Sequence, residues 1–259
     1  LAYTYRNGKY ELLAIAPNTT PRGESGSPNA MRPPNCAVGD FDGDGNIELC
    51  YGDTDGDFLV YEYKNGALTK EYTIVNENKD GGTEYVASAD VDGDGKPELL
   101  VGYYATPAAS GNREYDVPLW TFKLYRSLSA NTYRAVWTDQ FYGVRAGLEF
   151  QSGVSAGDLD GQKGDELVLA PFPNVYVFKW NESSKTLVPL WNYYGSYTSN
   201  PIVYDFDNNG RNELGFADGA TTSFWEIPIA SLPVAPTNFR ATVLDTTTVK
   251  LTWATSPDA

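Results

Sequence analysis

The chain has 259 residues, and 19 Lys and Arg against 34 Asp and Glu give a net charge of −15. It contains no histidine, which excludes Ser-His and Cys-His catalysis and every His-ligated metal. The acidic surplus excludes nucleic acid and anionic membrane surfaces as partners, since both require Lys and Arg in excess. No apolar run approaches the ~20 residues of a membrane-spanning helix, while 41% hydrophobic residues is ample for a buried core.

The chain starts at Leu1, without a basic stretch followed by an apolar one, so its start is expected to be processed or excised. Residues 1–16 read as two strands. LAYTYRNG lies over LVYEYKNG at 59–66, and KYELLAIA follows it. Beyond them four segments align without gaps: DFDGDGNIEL, DVDGDGKPEL, DLDGQKGDEL and DFDNNGRNEL, beginning at Asp40, Asp90, Asp158 and Asp205. They stand 50, 68 and 47 residues apart, and a period near 50 suits a four-stranded propeller blade. A short β-like run precedes each loop (CAVG, VASA, VSAG, PIVY) and another follows it (IELCYG, PELLVG, ELVLA, NELGF). Alternating runs come next, FLVYEY, LWTFKLY, VYVFKW and TSFWEI, and the fourth run ends in an aromatic. No amphipathic helix is apparent.

The chain therefore reads as all-β, a β-propeller of four-stranded blades over residues 1–232. Residues 1–16 supply only the second half of a blade, so further blades are expected upstream. From 233 to 259 the repeat stops. Alternation of Phe239, Ala241 and Val243, then of Val249, Leu251 and Trp253, resembles the first two strands of a fibronectin type III sandwich.

In the first loop, side-chain oxygens at positions 1, 3, 5 and 9 belong to Asp40, Asp42, Asp44 and Glu48, and the carbonyl at position 7 to Asn46. Alternate residues of a tight loop point at one centre. An all-oxygen set of five or more ligands suits a hard cation of irregular geometry, Ca²⁺ ahead of Mg²⁺. An EF-hand is excluded, because its twelfth position would fall on Tyr51, Val101, Leu169 and Phe216 within strands. Asx-turns alone would not need this alternation of carboxylates.

These loops and the β runs around them resemble FG-GAP (integrin α-type) and VCBS-like propeller repeats across nearly all of residues 1–230. The FG element survives as Val38-Gly39 and Ala156-Gly157, and the GAP element loosely as Tyr51-Gly52-Asp53, Val101-Gly102 and Leu169-Ala170-Pro171. The resemblance implies calcium at Asp90, Asp92, Asp94, Lys96 (carbonyl) and Glu98. It implies the same at Asp158, Asp160, Gln162, Gly164 (carbonyl) and Glu166, and at Asp205, Asp207, Asn209, Arg211 (carbonyl) and Glu213. That makes up to four Ca²⁺ ions. Gln162, Lys163, Asn208 and Asn209 depart from the pattern, so carboxylate count ranks the first two loops above the last two.

Cys36 and Cys50 occupy apolar strand positions and also flank one hairpin, so they read either as core side chains or as a cross-strand disulfide. Tyr72, Trp137 and Trp191 recur at one place in the repeat, which points to packing rather than to sugar stacking. Asn18-Thr19-Thr20 and Asn181-Glu182-Ser183 match the glycosylation sequon.

No catalytic constellation stands out. The expectation is an extracellular scaffold binding a protein or glycan, with no nucleic acid and no membrane insertion. The alternative is the propeller of a secreted carbohydrate-active enzyme such as a polysaccharide lyase. In the resembling propellers the metal loops lie on one face, and the inter-blade joins and strand two-to-three joins lie on the other. Here those joins vary most in length, including an insertion near 104–118. They carry Arg32, Tyr85, Tyr104, Arg113, Tyr115, Tyr142, Arg145, Tyr194 and Tyr197, residue types that dominate binding hot spots.

Overall fold

A computed structural model describes residues 1–16, 36–53, 56–76, 82–105, 119–142, 152–194, 201–218, 221–227, 240–243 and 249–252. Among these residues every regular element is a strand. The chain divides into two compact units, Leu1–Ile227 and Pro228–Ala259.

The first unit opens with a hairpin, β1 (Ala2–Arg6) and β2 (Lys9–Ala14). Three four-stranded antiparallel sheets follow, each in simple up-and-down order. The first is β3 (Cys36–Gly39), β4 (Ile47–Gly52), β5 (Phe58–Lys64) and β6 (Ala67–Ile74). The second is β7 (Gly82–Ala89), β8 (Glu98–Ala105), β9 (Leu119–Ser129) and β10 (Thr132–Tyr142). The third is β11 (Gly153–Gly157), β12 (Glu166–Ala170), β13 (Asn174–Asn181) and β14 (Thr186–Tyr194). A three-stranded sheet closes the unit: β15 (Ile202–Tyr204), β16 (Glu213–Asp218) and β17 (Thr221–Trp225).

Burial explains why the second strands of the second and third sheets are so apolar. Every residue of β8 and β12 is buried, because each of these strands has a neighbouring blade on both faces. The outer strands β6 and β14 are half-buried or exposed throughout, apart from Ile74 at the end of β6. The turn from β5 to β6 is Asn65-Gly66 with φ of 53° and 83°, the left-handed pair that matches the twist of a hairpin.

The first strands β3, β7, β11 and β15 lie side by side in that order, the arrangement of blades around a propeller axis. Three hydrophobic clusters fill the spaces between successive blades. Phe58 and Val60 meet Val101 and Tyr103; Trp120, Phe122 and Leu124 meet Leu167, Leu169 and Trp180; Val175 and Val177 meet Leu214 and Phe216. Tyr72, Trp137 and Trp191 pack against these clusters, as their repeated position suggested.

Two features decide or correct the sequence reading. Both cysteines are free, with Cys36 exposed and Cys50 buried. Cys50 pairs with Ala37, whereas Cys36 pairs with Tyr51, so strand alternation sends the two thiols to opposite faces of the sheet. Second, β7, β8, β10 and β14 reach further than the sequence suggested, so Tyr85, Tyr104, Tyr142 and Tyr194 lie in strands rather than in joins.

The second unit contains a hairpin of β18 (Arg240–Val243) and β19 (Val249–Thr252), with Ala241 opposite Leu251 and Val243 opposite Val249. Phe239 and Trp253, which carried the likeness to fibronectin type III, lie outside the described residues.

Candidate metal centres

Each of the four acidic loops joins the first strand of a sheet to the second: 40–46, 90–97, 158–165 and 205–212. Their local fold follows from the alternation of acids. The position-1 carboxylate faces the loop's own amides. Asp40 accepts from Gly43 (2.7 Å) and Gly45 (3.0 Å), Asp90 from Asp94 (3.0 Å) and Gly95 (2.9 Å), and Asp205 from Asn209 (3.1 Å) and Gly210 (3.0 Å). The position-3 carboxylate accepts from the amide two residues on in all four, as with Asp44 N–H to Asp42 Oδ1 at 3.1 Å. The position-9 glutamate reaches back to the amide at position 2. Phe41, Val91, Leu159 and Phe206 donate to Glu48, Glu98, Glu166 and Glu213 at 2.7, 3.1, 2.7 and 2.8 Å.

The result gathers oxygens. Asp40, Asp42, Asp44 and Glu48 each place an oxygen within 4.8 Å of the others. So do Asp90, Asp92 and Asp94; Asp158, Asp160 and Glu166; and Asp205, Asp207 and Glu213. Two oxygens bound to one calcium at about 2.3–2.6 Å lie at most about 5 Å apart, so these spacings fit such an ion. Glu48 and Glu213 are 0% and 7% exposed, and the Oε1 atom of each has no hydrogen-bond partner. A buried carboxylate oxygen without a donor is costly unless a cation meets it. Burial, with Asp42, Asp40 and Asp44 nearby, pushes the Glu48 carboxyl up to about 7. Burial pushes Glu98 up to about 7 as well, against the opposing pull of Arg126. The donor set therefore fits a hard divalent cation, although Glu98 stands outside the second cluster and Gln162 and Asn209 add no carboxylate to theirs.

The loops of adjacent blades are knit together through position 8. Pro97 lies against Gly39, at the entry of the first loop. Asp165 donates its amide to Asp90 O at 2.8 Å and accepts from Asp90 N at 2.9 Å. Asn212 donates to Asp158 O at 2.9 Å. The third loop departs locally. Its second left-handed residue is Gly164 at position 7 (φ 93°), because Lys163 takes the place that glycine holds in the other three. A Cβ on Gly164 would stand 2.5 Å from Val91 O, a backbone atom that cannot swing aside. Gly164→Ala should therefore cost about 1–3 kcal/mol, read as a lower melting temperature. A variant as stable as the parent would refute this contact between loops.

Of the residues expected on the opposite face, Tyr142 and Tyr194 are 59% and 74% exposed. Tyr85 and Tyr104 are not available there. They are buried beside Trp120, with ring centroids 5.9 and 4.9 Å from it, because cross-strand pairing sets Tyr104 opposite Trp120. Arg32, Arg113, Tyr115, Arg145 and Tyr197 lie outside the described residues, as does Asn18 of the first sequon. Asn181 of the second caps its own turn, accepting from Ser183 and Ser184.

The residues that sequence reasoning passed over are Arg126 and Lys179. Arg126 bonds Asp92 (2.8 Å), Glu98 (2.7 Å) and Glu182 (3.3 Å); Lys179 bonds Asp160 (2.7 Å) and Glu166 (2.6 Å). Aligning the third strand of each blade would have exposed the column they occupy.

Comparison with known proteins agrees with this architecture. A model of the FG-GAP-like repeat matches residues 40–101, which span the first two acidic loops. No curated protein sequence matches the chain. Among solved structures, a rhamnogalacturonan lyase of Bacillus licheniformis is similar with a TM-score of 0.53 at 16% identity, covering 87% of this chain and 48% of that one. The exotype rhamnogalacturonan lyase YesX gives 0.52 at 18% identity, with 85% and 46% covered. The chain thus spans just under half the length of these two enzymes, and the likeness is one of fold. This is an all-β chain of propeller blades with FG-GAP-like repeat character in its first two loops.

Proposed function

We propose that this chain is a calcium-stabilised propeller scaffold of an extracellular protein, presenting a protein- or glycan-binding face opposite its metal loops. The observation that carries the reading is the recurrence of one oxygen cluster at the same end of four successive blades. Calcium at the millimolar levels found outside cells fills loops of modest affinity, which supports the extracellular location. The ions would be held by the carboxylates of each loop and would supply structural charge balance. Four of them would add +8 to the net −15.

The exposed rings of Tyr142 and Tyr194, at the ends of β10 and β14, support a contact face on the side away from the loops. Binding on a glycan array should fall at least several-fold for Tyr142→Ala, with calcium-dependent melting unchanged. Unaltered binding would remove this tyrosine from the face.

The fold likeness to rhamnogalacturonan lyases favours a second reading, the propeller of a secreted polysaccharide lyase. Incubating the chain with rhamnogalacturonan and following unsaturated product by absorbance tests it. Product formation would replace the scaffold reading; glycan binding without cleavage would support it.

A further inference from the structure

The four loops differ in the residue that faces the position-9 glutamate from the third strand. Glu48 pairs with Glu62 across β4 and β5. Leu99 pairs with Tyr125, Leu167 with Phe178 and Leu214 with Trp225. One step further along, Glu98 therefore meets Arg126, Glu166 meets Lys179, and Glu213 comes beside Glu226. The column reads Glu, Arg, Lys, Glu.

Geometry turns this into two kinds of site. In the second and third blades the cation bridges the carboxylates at positions 3 and 9, with contacts of 2.6–2.8 Å. Both cations are only about one-fifth exposed, at 22% and 21%, so these pairs are weakly screened. In the first and fourth blades the acids of the column bind cations elsewhere: Glu62 takes Lys64, and Glu226 takes Arg211. Lys96 leans over the backbone of Gly43. Among the described residues no lysine or arginine reaches Glu48 or Glu213, and these two keep an unpartnered buried Oε1.

We infer that Arg126 and Lys179 are resident counter-cations that stand in for a metal's charge at the second and third loops, and that the first and fourth loops are where the divalent cation binds tightly. This partition rests on the proposal that the acidic loops take calcium. It departs from the ranking by carboxylate count, which put the second loop with the first and the fourth with the third. An ion entering the second or third loop has to displace a salt-bridged guanidinium or ammonium from the position-3 carboxylate. An ion entering the first or fourth meets a carboxylate oxygen that nothing else satisfies. Electrostatics sharpens the difference, since the column sets a carboxylate beside Glu48 and Glu213 where it sets a cation beside Glu98 and Glu166.

Calorimetric titration of the metal-stripped 259-residue chain with Ca²⁺ tests this, with melting followed in chelator and in millimolar calcium. The parent should bind two ions at least tenfold more tightly than any further ion. Glu62→Lys installs a resident cation in the first blade, so one tight site should vanish and the chelator-induced drop in melting temperature should shrink by about half. Glu226→Lys, at a site 40% exposed and therefore tolerant of change, should do the same for the fourth. Lys179→Met should work in reverse: less stable than the parent in chelator, recovering most of that deficit in millimolar Ca²⁺. Parent-like stoichiometry in both Lys variants, with a Lys179→Met deficit that calcium does not narrow, would overturn the partition. A parent chain that binds no calcium, and whose melting ignores chelator, would overturn the calcium reading itself.

Discussion

Adding a chelator to this chain should lower its melting temperature by about 10–20 °C, and millimolar Ca²⁺ should restore it. An ion bound only by the folded state, at about 100 times its Kd, adds about 2.7 kcal/mol. Two such ions give about 5 kcal/mol, and in a domain of this size each kcal/mol moves the midpoint by about 2–4 °C. The structural reason is local. Without an ion the first loop holds four acids with oxygens inside 4.8 Å, one of them the fully buried Glu48. That loop also ties the first two blades together, since Asp42 accepts from the amide of Asn131 at 3.0 Å in the turn between β9 and β10. Loosening it should therefore destabilise two blades, not one hairpin. Scanning calorimetry in both conditions settles the matter, and superimposable curves would remove structural calcium from the account.

Much of the fold was legible because blades repeat. A loop seen four times, each flanked by short β runs, specifies hairpins even where one copy is degenerate, as at Gln162 and Lys163. What repetition could not supply was the pairing of side chains across strands. Tyr104 reads as an aromatic at the start of an insertion until the β8–β9 register sets it opposite Trp120. Cys36 and Cys50 read equally as core side chains or as partners across one hairpin until the register gives Cys50 to Ala37. Arg126 and Lys179 drew no notice in the sequence, because nothing within the acidic loop records what faces its ninth residue. The loops advertise their ligands in sequence, but the charges that compete with a metal come from elsewhere in the blade.

That difference between legible ligands and hidden competitors also bears on the opposite face. Four buried aromatics, Tyr85, Tyr104, Trp120 and Phe122, form a contiguous cluster of rings at the end of the second blade away from its metal loop. A sugar-binding platform would have the same composition. The distinction lies in exposure: Trp120 is 2% exposed and Phe122 is 0% exposed.

Replacing Trp120 with alanine should therefore cost about 3–5 kcal/mol of stability, the range for deleting a large buried aromatic whose cavity cannot fully collapse. The indole lies parallel to Phe122 at 5.7 Å with 9° between planes, and tilted against Tyr104 at 4.9 Å. It belongs to the cluster that joins the second blade to Leu167 and Leu169 of the third, so the void would open at a seam between blades. Calcium should not repair it, because loop and indole sit at opposite ends of the strands and distant sites contribute additively. That cost should be the same in chelator as in millimolar Ca²⁺ to within about 0.5 kcal/mol. Denaturant unfolding of both proteins under both conditions reads this directly. A variant of unchanged stability that had lost glycan binding would reverse the assignment and make Trp120 part of a ligand platform. A deficit that calcium abolishes would show instead that the metal loops and the seam unfold as one unit.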